Sequence, residues 1–468
     1  MIYKNALHWF RRDLRIKDNI GLYNCQKKSA NISAIFIYDQ NILSSLDDKN
    51  DQRVEFLYQS LKDLEGQLRE KGISLFTYYG DPKKIIIDFI KNYQINYLTF
   101  NRDYENYALK RDSDVTKMVS NLGLDSESFK DHVIFEGDEI YTANGKHYSV
   151  FSPFRNNWIK KIGNKKFILK NLKQQNNIGN SETNLINPKD FGFNNVDLRE
   201  KNILPGSIGG ESELKKFLRV INNYSDNRDF PNLSANSRLS VHLRFGTLSI
   251  RDLVNKCLEI NTISSNKWLN ELVWRDFYSS ILFNYPHVEK HEFNQKYQNL
   301  KWNKNDIFFN AWCNAETGYP IVDAAINELN LTGFMHNRCR MIVASFLTKH
   351  LLCDWRLGEA YFAKKLIDFD LASNNGGWQW AASTGCDSQP YFRVFNPSLQ
   401  SEKFDKCGKY IKKYLPIFKN VESKYLHSPW QYSDKLEAYG IKLGKDYPLP
   451  IVNHQKARLR AIDFFKKV

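Results

Sequence analysis

Between Asp368 and Trp380 the chain reads DFDLASNNGGWQW. Two carboxylates two residues apart, an asparagine pair, a double glycine and two tryptophans suit a buried aromatic cofactor better than a hydrolytic centre. Asp368 and Asp370 could accept hydrogen bonds from ring or ribose groups, the asparagines Asn374 and Asn375 could donate to a ring nitrogen, and Trp378 and Trp380 could stack or carry an electron. Gly376 and Gly377 remove side chains where something bulky could approach the backbone. A purely structural account uses the same residues, with the tryptophans as core, the aspartates as a cap and the glycines as a turn.

Three further segments carry residue types suited to chemistry. In WLNELVWRDFY, Glu271, Trp274, Arg275 and Tyr278 fall at i, i+3, i+4 and i+7, along one helical stripe. A carboxylate, an indole, a guanidinium and a phenol on one face suit a flat, polar, anionic object such as a base with its phosphate. An amphipathic helix with an internal Glu-Arg pair competes with that account. GFMHNRCRMIVAS gathers His336, Asn337, Arg338, Arg340 and Met341 ahead of an apolar run, with Asn337 and Met341 sharing a face. Its arginines look like phosphate or carboxylate ligands, and its histidine like a satisfied structural residue. In the segment from Arg228 to Ser249, Ser237, Arg238 and Ser240 could cradle a diphosphate through hydroxyls and amides. Ser237 could equally be a helix cap.

These residues need a scaffold, and the pattern of apolar runs supplies one. ALHWF, SAIFIYD, ISLFTYY and INYLTF read as short buried strands in the first 130 residues. Between them, Val54 to Gly72 has helical periodicity with a glycine stop, and Pro82 opens another helix after Asp81. Strands alternating with helices predict a doubly wound parallel sheet, although no G-x-G-x-x-G follows the first strand. From about Asn164 to Gly210 the chain is rich in Asn, Lys and Gly and reads as a linker over the surface. Beyond Glu211, strand signals nearly vanish, and segments such as IRDLVNKCLEI and RMIVASFLTKHLL predict a mostly helical domain.

Composition narrows the class. At 468 residues the chain is long for one core, which predicts two domains. Its 67 Lys and Arg against 52 Asp and Glu leave a net charge of +15, which fits a polyanionic partner, although Asn-, Lys- and Ile-rich drift accounts for part of the excess. Seven cysteines without C-x-x-C spacing argue for a reducing compartment and against a zinc site. The N-terminus reaches Arg11-Arg12 before a signal-length apolar core forms, and no run approaches membrane-spanning length, so a cytoplasmic protein is expected.

The segments HWFRRDLRIKDN, TGYPIVDAA, GFMHNRCRM, NNGGWQWAASTG and PYFRVFNP, in this order over nearly the whole chain, resemble the DNA photolyase and cryptochrome family, most closely its class I cyclobutane pyrimidine dimer photolyases. The resemblance implies an N-terminal α/β domain at 1–130, a connector at 131–210 and a helical domain at 211–468 that binds FAD and DNA. It implies FAD binding by Tyr224, by the segment Asn236, Ser237, Arg238, Leu239 and Ser240, and by Asp368 and Asp370, with Asn374 near the flavin N5. Glu271, Trp274, Arg275, Tyr278, Asn337, Arg338, Met341, Trp380 and Gln400 would line the cavity for the flipped-out dimer or meet its flanking DNA. Trp378, Trp355 and Trp302 match the family's electron-carrying tryptophans. The family carries Thr at Asn236 and Trp at Phe334, so one polar contact and one ring differ.

The implied activity is light-dependent repair of ultraviolet-damaged DNA by a monomer: photoexcited reduced FAD donates an electron to the dimer, the ring splits, and the electron returns. A single His336 beside Asn337 and Met341 favours cyclobutane dimers over (6-4) photoproducts, whose enzymes carry a histidine pair. Trp274, together with an end soon after PIVNHQKARLRAIDFFKKV where signalling cryptochromes often append a long tail, favours repair over signalling by a cryptochrome-type blue-light photoreceptor. A folate antenna, 5,10-methenyltetrahydrofolate, is implied by Tyr104, Glu105 and Lys290, but Tyr107-Ala108 and Glu289 depart from the pattern of folate-binding relatives.

Overall fold

In the computed structural model, which describes residues 2–163, 165–178 and 183–468, the four apolar runs become strands. These are β1 (Tyr3–Phe10), β2 (Ser29–Asp39), β3 (Ser74–Gly80) and β4 (Tyr97–Asn101), joined by β5 (Asp125–Phe129). All pair in parallel, in the order β3-β2-β1-β4-β5. The sequence reading misses β5 because DSESF is an edge strand, exposed or half-buried throughout, and has no apolar run to announce it.

Helices of six or more residues are numbered in chain order. α1 (Ile20–Lys28), α2 (Gln52–Glu70), α3 (Pro82–Tyr93) and α4 (Asn106–Asn121) alternate with the strands. Asp51 and Asp81 cap α2 and α3 by accepting from the backbone N–H of Arg53 and Lys83. Alternation along the strands divides the apolar side chains between two faces. Ala6, Phe10, Ala34 and Phe36 pack with Leu61, Leu64 and Leu68, whereas Leu7, Trp9, Ile35 and Ile37 pack with Phe89, Ile90 and Val115.

The expected surface linker is tied to the sheet over much of its described length. Ile32 N–H donates to the Asn176 carbonyl at 3.1 Å and Thr77 N–H to that of Asn184 at 2.8 Å, while Leu172 and Phe193 are buried in the core. Asn164 and residues 179–182 of that linker lie outside the described residues.

The chain divides into two compact units. The first comprises Met1–His147, Phe154–Asn222 and Ser237–Asn284, and the second Tyr148–Pro153, Asn223–Asn236 and Tyr285–Val468. Besides the sheet, the first holds α5 (Phe151–Ile162) from Phe154 onward, α6 (Gly206–Val220), α7 (Ser240–Phe245), α8 (Ile250–Ile260) and α9 (Ile263–Asn284). The second is helical, with α10 (Asp306–Cys313), α11 (Pro320–Thr332), α12 (Asn337–Ser345), α13 (Trp355–Lys365), α14 (Leu371–Ala382), α15 (Pro397–Phe404), α16 (Lys409–Tyr414) and α17 (His454–Lys466). Its core gathers Trp312, Val322, Leu329, Val343, Leu347, Trp355, Phe362 and Trp378. The run RMIVASFLTKHLL is not one α-helix: α12 ends at Ser345, and Phe346–His350 form a π-helical turn with Lys349 and His350 fully buried.

Candidate functional site

The motif DFDLASNNGGWQW becomes the start and body of α14. Asp370 caps it, accepting from the Ser373 N–H at 3.0 Å. Helical geometry then sorts the rest: Asn374, Asn375, Trp378 and Gln379 are buried, while Gly376, Gly377 and Trp380 are half-buried. The glycines are mid-helix rather than a turn. A Cβ added at Gly377 would meet no atom within 4 Å, so open space lies beside the buried Asn374.

Asn374 offers an acceptor, where a donor was expected. Its Nδ2 donates to the Glu359 backbone carbonyl at 3.1 Å and to its Oε1 at 2.8 Å, which leaves Oδ1 for a ligand. Burial pushes the Glu359 carboxyl up, the Asn374 bond pulls it down, and the nearby Glu289 raises it further. Asn375 spends its amide on the Val288 carbonyl at 2.9 Å, which makes it structural.

Arg338 and Arg340 hold carboxylates of the chain itself. Arg340 Nη2 donates to both oxygens of the buried Asp368, at 2.9 and 3.1 Å, and its guanidinium lies 5.6 Å from the Phe334 ring. Arg338 pairs with Asp229 at 2.9 Å and lies 4.3 Å over the Phe404 ring. Buried charges must be matched in this way, because an unpaired one is costly. His336 caps α12 as its Nδ1 accepts from the Arg338 N–H at 3.1 Å; burial pushes the imidazole down to about 4, so it is neutral near pH 7. Asn337 is exposed, and Met341 and Gln400 are half-buried. Tyr224 is buried with the Arg228 guanidinium 5.3 Å from its ring, and Asn236 is half-buried.

In the first unit, α9 carries the predicted stripe. Glu271, Trp274, Arg275 and Tyr278 are all half-buried, while Leu272, Val273, Asp276 and Phe277 behind them are buried. Trp274 and Tyr278 rings lie 5.3 Å apart. Arg275 donates to the His132 carbonyl and, at 3.4 Å, to that of Leu243. Asp276 fastens the helix from below, accepting from the N–H groups of Ile134 and Phe135 and from Trp158 Nε1 at 3.0 to 3.3 Å, and burial raises its carboxyl to about 6. Ser237 is not a cap of α7, whose N-cap is Leu239; its hydroxyl accepts from the Leu239 N–H at 3.4 Å. Arg238 takes a left-handed backbone conformation, and it and Ser240 are exposed, while Leu239 is buried. Glu105, implied in antenna binding, accepts from Arg12 at 2.9 Å and Arg244 at 2.7 Å, and Tyr104 donates to Glu136 at 2.8 Å.

The three tryptophans step across the second unit. Trp378 presses on Gly358 of α13, where an added Cβ would come within 2.1 Å of the ring. Trp355, at the start of α13, is buried and donates to Glu292 at 3.3 Å. Trp302 is half-buried against Phe464 at 5.3 Å, and its neighbour Asn303 donates to the Leu352 carbonyl at 2.7 Å, close to Trp355 in sequence. The sequence reading missed Glu359 and Glu292. Glu359 follows Trp355 by four residues, a helical spacing that could have flagged it, whereas Glu292 carries no such signal.

Residues 6–171 match the family model described as DNA photolyase, and residues 268–467 the one described as FAD binding domain of DNA photolyase. The deoxyribodipyrimidine photo-lyase of Salmonella typhimurium is 37% identical over 473 residues, covering 98% of each chain. The chain belongs to the DNA photolyase family. Among solved structures, a class III photolyase from Agrobacterium tumefaciens superposes on this photolyase with a TM-score of 0.92 at 32% identity, covering 100% of this chain and 98% of that one. The cryptochrome of Synechocystis sp. PCC6803 does so with a TM-score of 0.90 at 28% identity, covering 99% of each.

FAD is this photolyase's cofactor, and the residues of its helical unit fit such a group. Open space at Gly377 adjoins the buried Asn374, whose acceptor atom is free of its own amide's commitments. Arg338 Nε, Trp378 Nε1 and Gln400 Oε1 are buried without a protein partner. Buried polar atoms are rarely left unmatched unless something else meets them.

Proposed function

We propose that this photolyase repairs cyclobutane pyrimidine dimers in ultraviolet-damaged DNA. The observation that carries this reading is α14, which sets Asn374, the open face at Gly377, Trp378 and Trp380 along twelve residues of one helix. Bound FAD in its reduced, photoexcited form supplies an electron that opens the cyclobutane ring and then returns. Asp368, held by Arg340, Asp370, Tyr224, Asn236 and the Ser237–Ser240 segment would hold the cofactor, and Asn374 Oδ1 would accept from a ring N–H.

The dimer bases, poorly stacked and therefore cheaply extruded, would meet Glu271 through hydrogen bonds and Trp274 and Trp380 through stacking. Asn337, Met341 and Gln400 would complete the contacts to the bases. Arg275, Tyr278 and Arg338 would contribute phosphate contacts and the salt-dependent, sequence-independent part of affinity. Trp302, Trp355 and Trp378 would carry electrons inward to FAD. The reading carries with it a monomer working in the cytoplasm and 5,10-methenyltetrahydrofolate as the antenna.

Illumination of the FAD-loaded protein with dimer-containing DNA and a reductant tests the reading: dimers disappear in light and persist in the dark. No light-dependent loss would sink it. The likeness to a cryptochrome motivates a second reading, a non-repairing blue-light photoreceptor. That reading predicts photoreduction with no preference for damaged DNA. The absorption spectrum of the purified protein checks the antenna, which would add a near-ultraviolet band separate from the flavin's.

A further inference from the structure

Two aromatic rings flank Trp378: Phe362, at 5.0 Å, and the redox-active indole of Trp312. The Trp312 ring lies 6.0 Å from that of Trp378, inclined at 71°. Trp312 is fully buried, and its Nε1 donates to the Val343 carbonyl at 3.1 Å. From Trp312 the next ring is Tyr361, at 5.4 Å and 67°. Tyr361 is half-buried, and its hydroxyl lies 2.5 Å from Asn330 Oδ1, in an exposed setting, and 3.0 Å from the Cys313 carbonyl. Three rings on α14, α10 and α13 therefore form an edge-to-face series from a buried indole to a phenol at the surface. Electron exchange between aromatic rings falls steeply with separation, so rings in contact are natural hopping partners.

We propose that Trp312 and Tyr361 form a second electron route that branches from Trp378 and ends at the Tyr361 phenol. The proposal rests on the reading that Trp378 is the immediate electron donor to FAD. After Trp378 has given up an electron under illumination, Trp312 refills it, and Tyr361 refills Trp312. Tyr361 cannot hold the positive charge, because a phenol that loses an electron becomes a strong acid. Its proton goes to water at the exposed hydroxyl, leaving a neutral tyrosyl radical. A soluble thiol then returns one electron and one proton to Tyr361, so each electron delivered inward is matched by one thiol oxidised. Asn330 positions the hydroxyl by accepting its hydrogen bond at 2.5 Å, and water takes the proton.

The two routes have different ends and different signatures. Trp355 carries the Arg356 guanidinium 4.8 Å from its ring, with Glu292 bonded to both the indole and the guanidinium. That route ends on an indole at Trp302, whereas the branch ends on a phenol. Electron paramagnetic resonance of the FAD-loaded full chain, frozen under illumination, separates the two. The wild type is expected to show a tyrosyl signal beside any tryptophanyl one. Trp355→Phe is expected to retain a measurable part of photoreduction and to show the tyrosyl signal more strongly. Tyr361→Phe should abolish that signal, and Trp355→Phe with Tyr361→Phe should lower photoreduction at least tenfold below Trp355→Phe alone. Since Tyr361 is half-buried, Tyr361→Phe also serves where a change at the buried Trp312 disturbs folding. Absence of a tyrosyl signal in both the wild type and Trp355→Phe overturns the branch. Undiminished photoreduction in Trp378→Phe instead overturns the underlying reading of Trp378.

Discussion

The carboxyl end of the sheet and the neighbourhood of α14 both bury charge, but they treat it differently. Between β1 and β4, where the strand order reverses and α/β proteins commonly bind ligands, the chain fills the crevice with its own side chains. Asn101 donates to Asp13 at 2.6 Å and to Asn19 at 2.8 Å, and its Oδ1 accepts from the Gly21 N–H at 2.9 Å. Nearby, the fully buried Asp131 accepts from Arg15 at 2.9 Å and from Arg251 at 2.8 Å, and Asp18 takes Arg251 at 2.7 Å. In the helical unit, by contrast, Arg338 Nε, Trp378 Nε1 and Gln400 Oε1 go unmatched, and open space lies beside Gly377 of α14. A network closed on itself holds a fold, whereas one with loose ends waits for a ligand.

The sharpest way to break this contrast is to open the closed network. Asp131→Ala strands two buried guanidiniums and should cost about 3–5 kcal/mol, read as a large fall in the urea midpoint. A loss under about 1 kcal/mol would mean that the network is not what holds the first unit. On the helical side, Gly358→Ala pushes a methyl into the Trp378 ring and should cost about 3 kcal/mol, with the flavin and thermal melting lost together.

Acid should strain both regions. Burial lowers His242 and His336 to about 4 and His132 and His350 to about 3, so the folded state resists their protonation. Their contribution is complete above pH 6.5 and is lost as pH falls toward 4, each histidine withholding roughly 2 kcal/mol at pH 5. Asp276 and Asp323, raised to about 6 by burial, act in the opposite sense, and their stabilisation is lost as pH rises through about 6. Four histidines against two aspartates predict a urea midpoint that falls between pH 6.5 and 5; a flat profile contradicts the burial of these rings. The smallest effect is the most diagnostic. Gly377→Ala meets no atom and improves helix propensity, so it should stabilise the FAD-free protein by about 0.5–1 kcal/mol while lowering the flavin retained on purification. If the flavin is retained in full, the open face at Gly377 is not where the cofactor lies.

Much of this was legible in the chain. The alternation of apolar runs and helical periods fixed a parallel sheet followed by helices, because burial of one face leaves a period of two or 3.6 in the residues themselves. β5 was not legible, since an edge strand buries little and DSESF shows no such period. The stripe Glu271, Trp274, Arg275 and Tyr278 was readable because it lies on a single helix, whereas DFDLASNNGGWQW showed a possible cap and two tryptophans but hid its helix, because a glycine pair reads equally as a turn.

Only tertiary structure decided what each side chain is free to do. Asn374 became an acceptor because Glu359, fifteen residues earlier, takes both protons of its amide. Arg340 lost its freedom to Asp368 and Arg338 to Asp229, pairings that join residues from separate segments. Sequence determines which groups a chain owns and the face each shares within one element. The partners those groups meet are set by packing between elements, which no local period records.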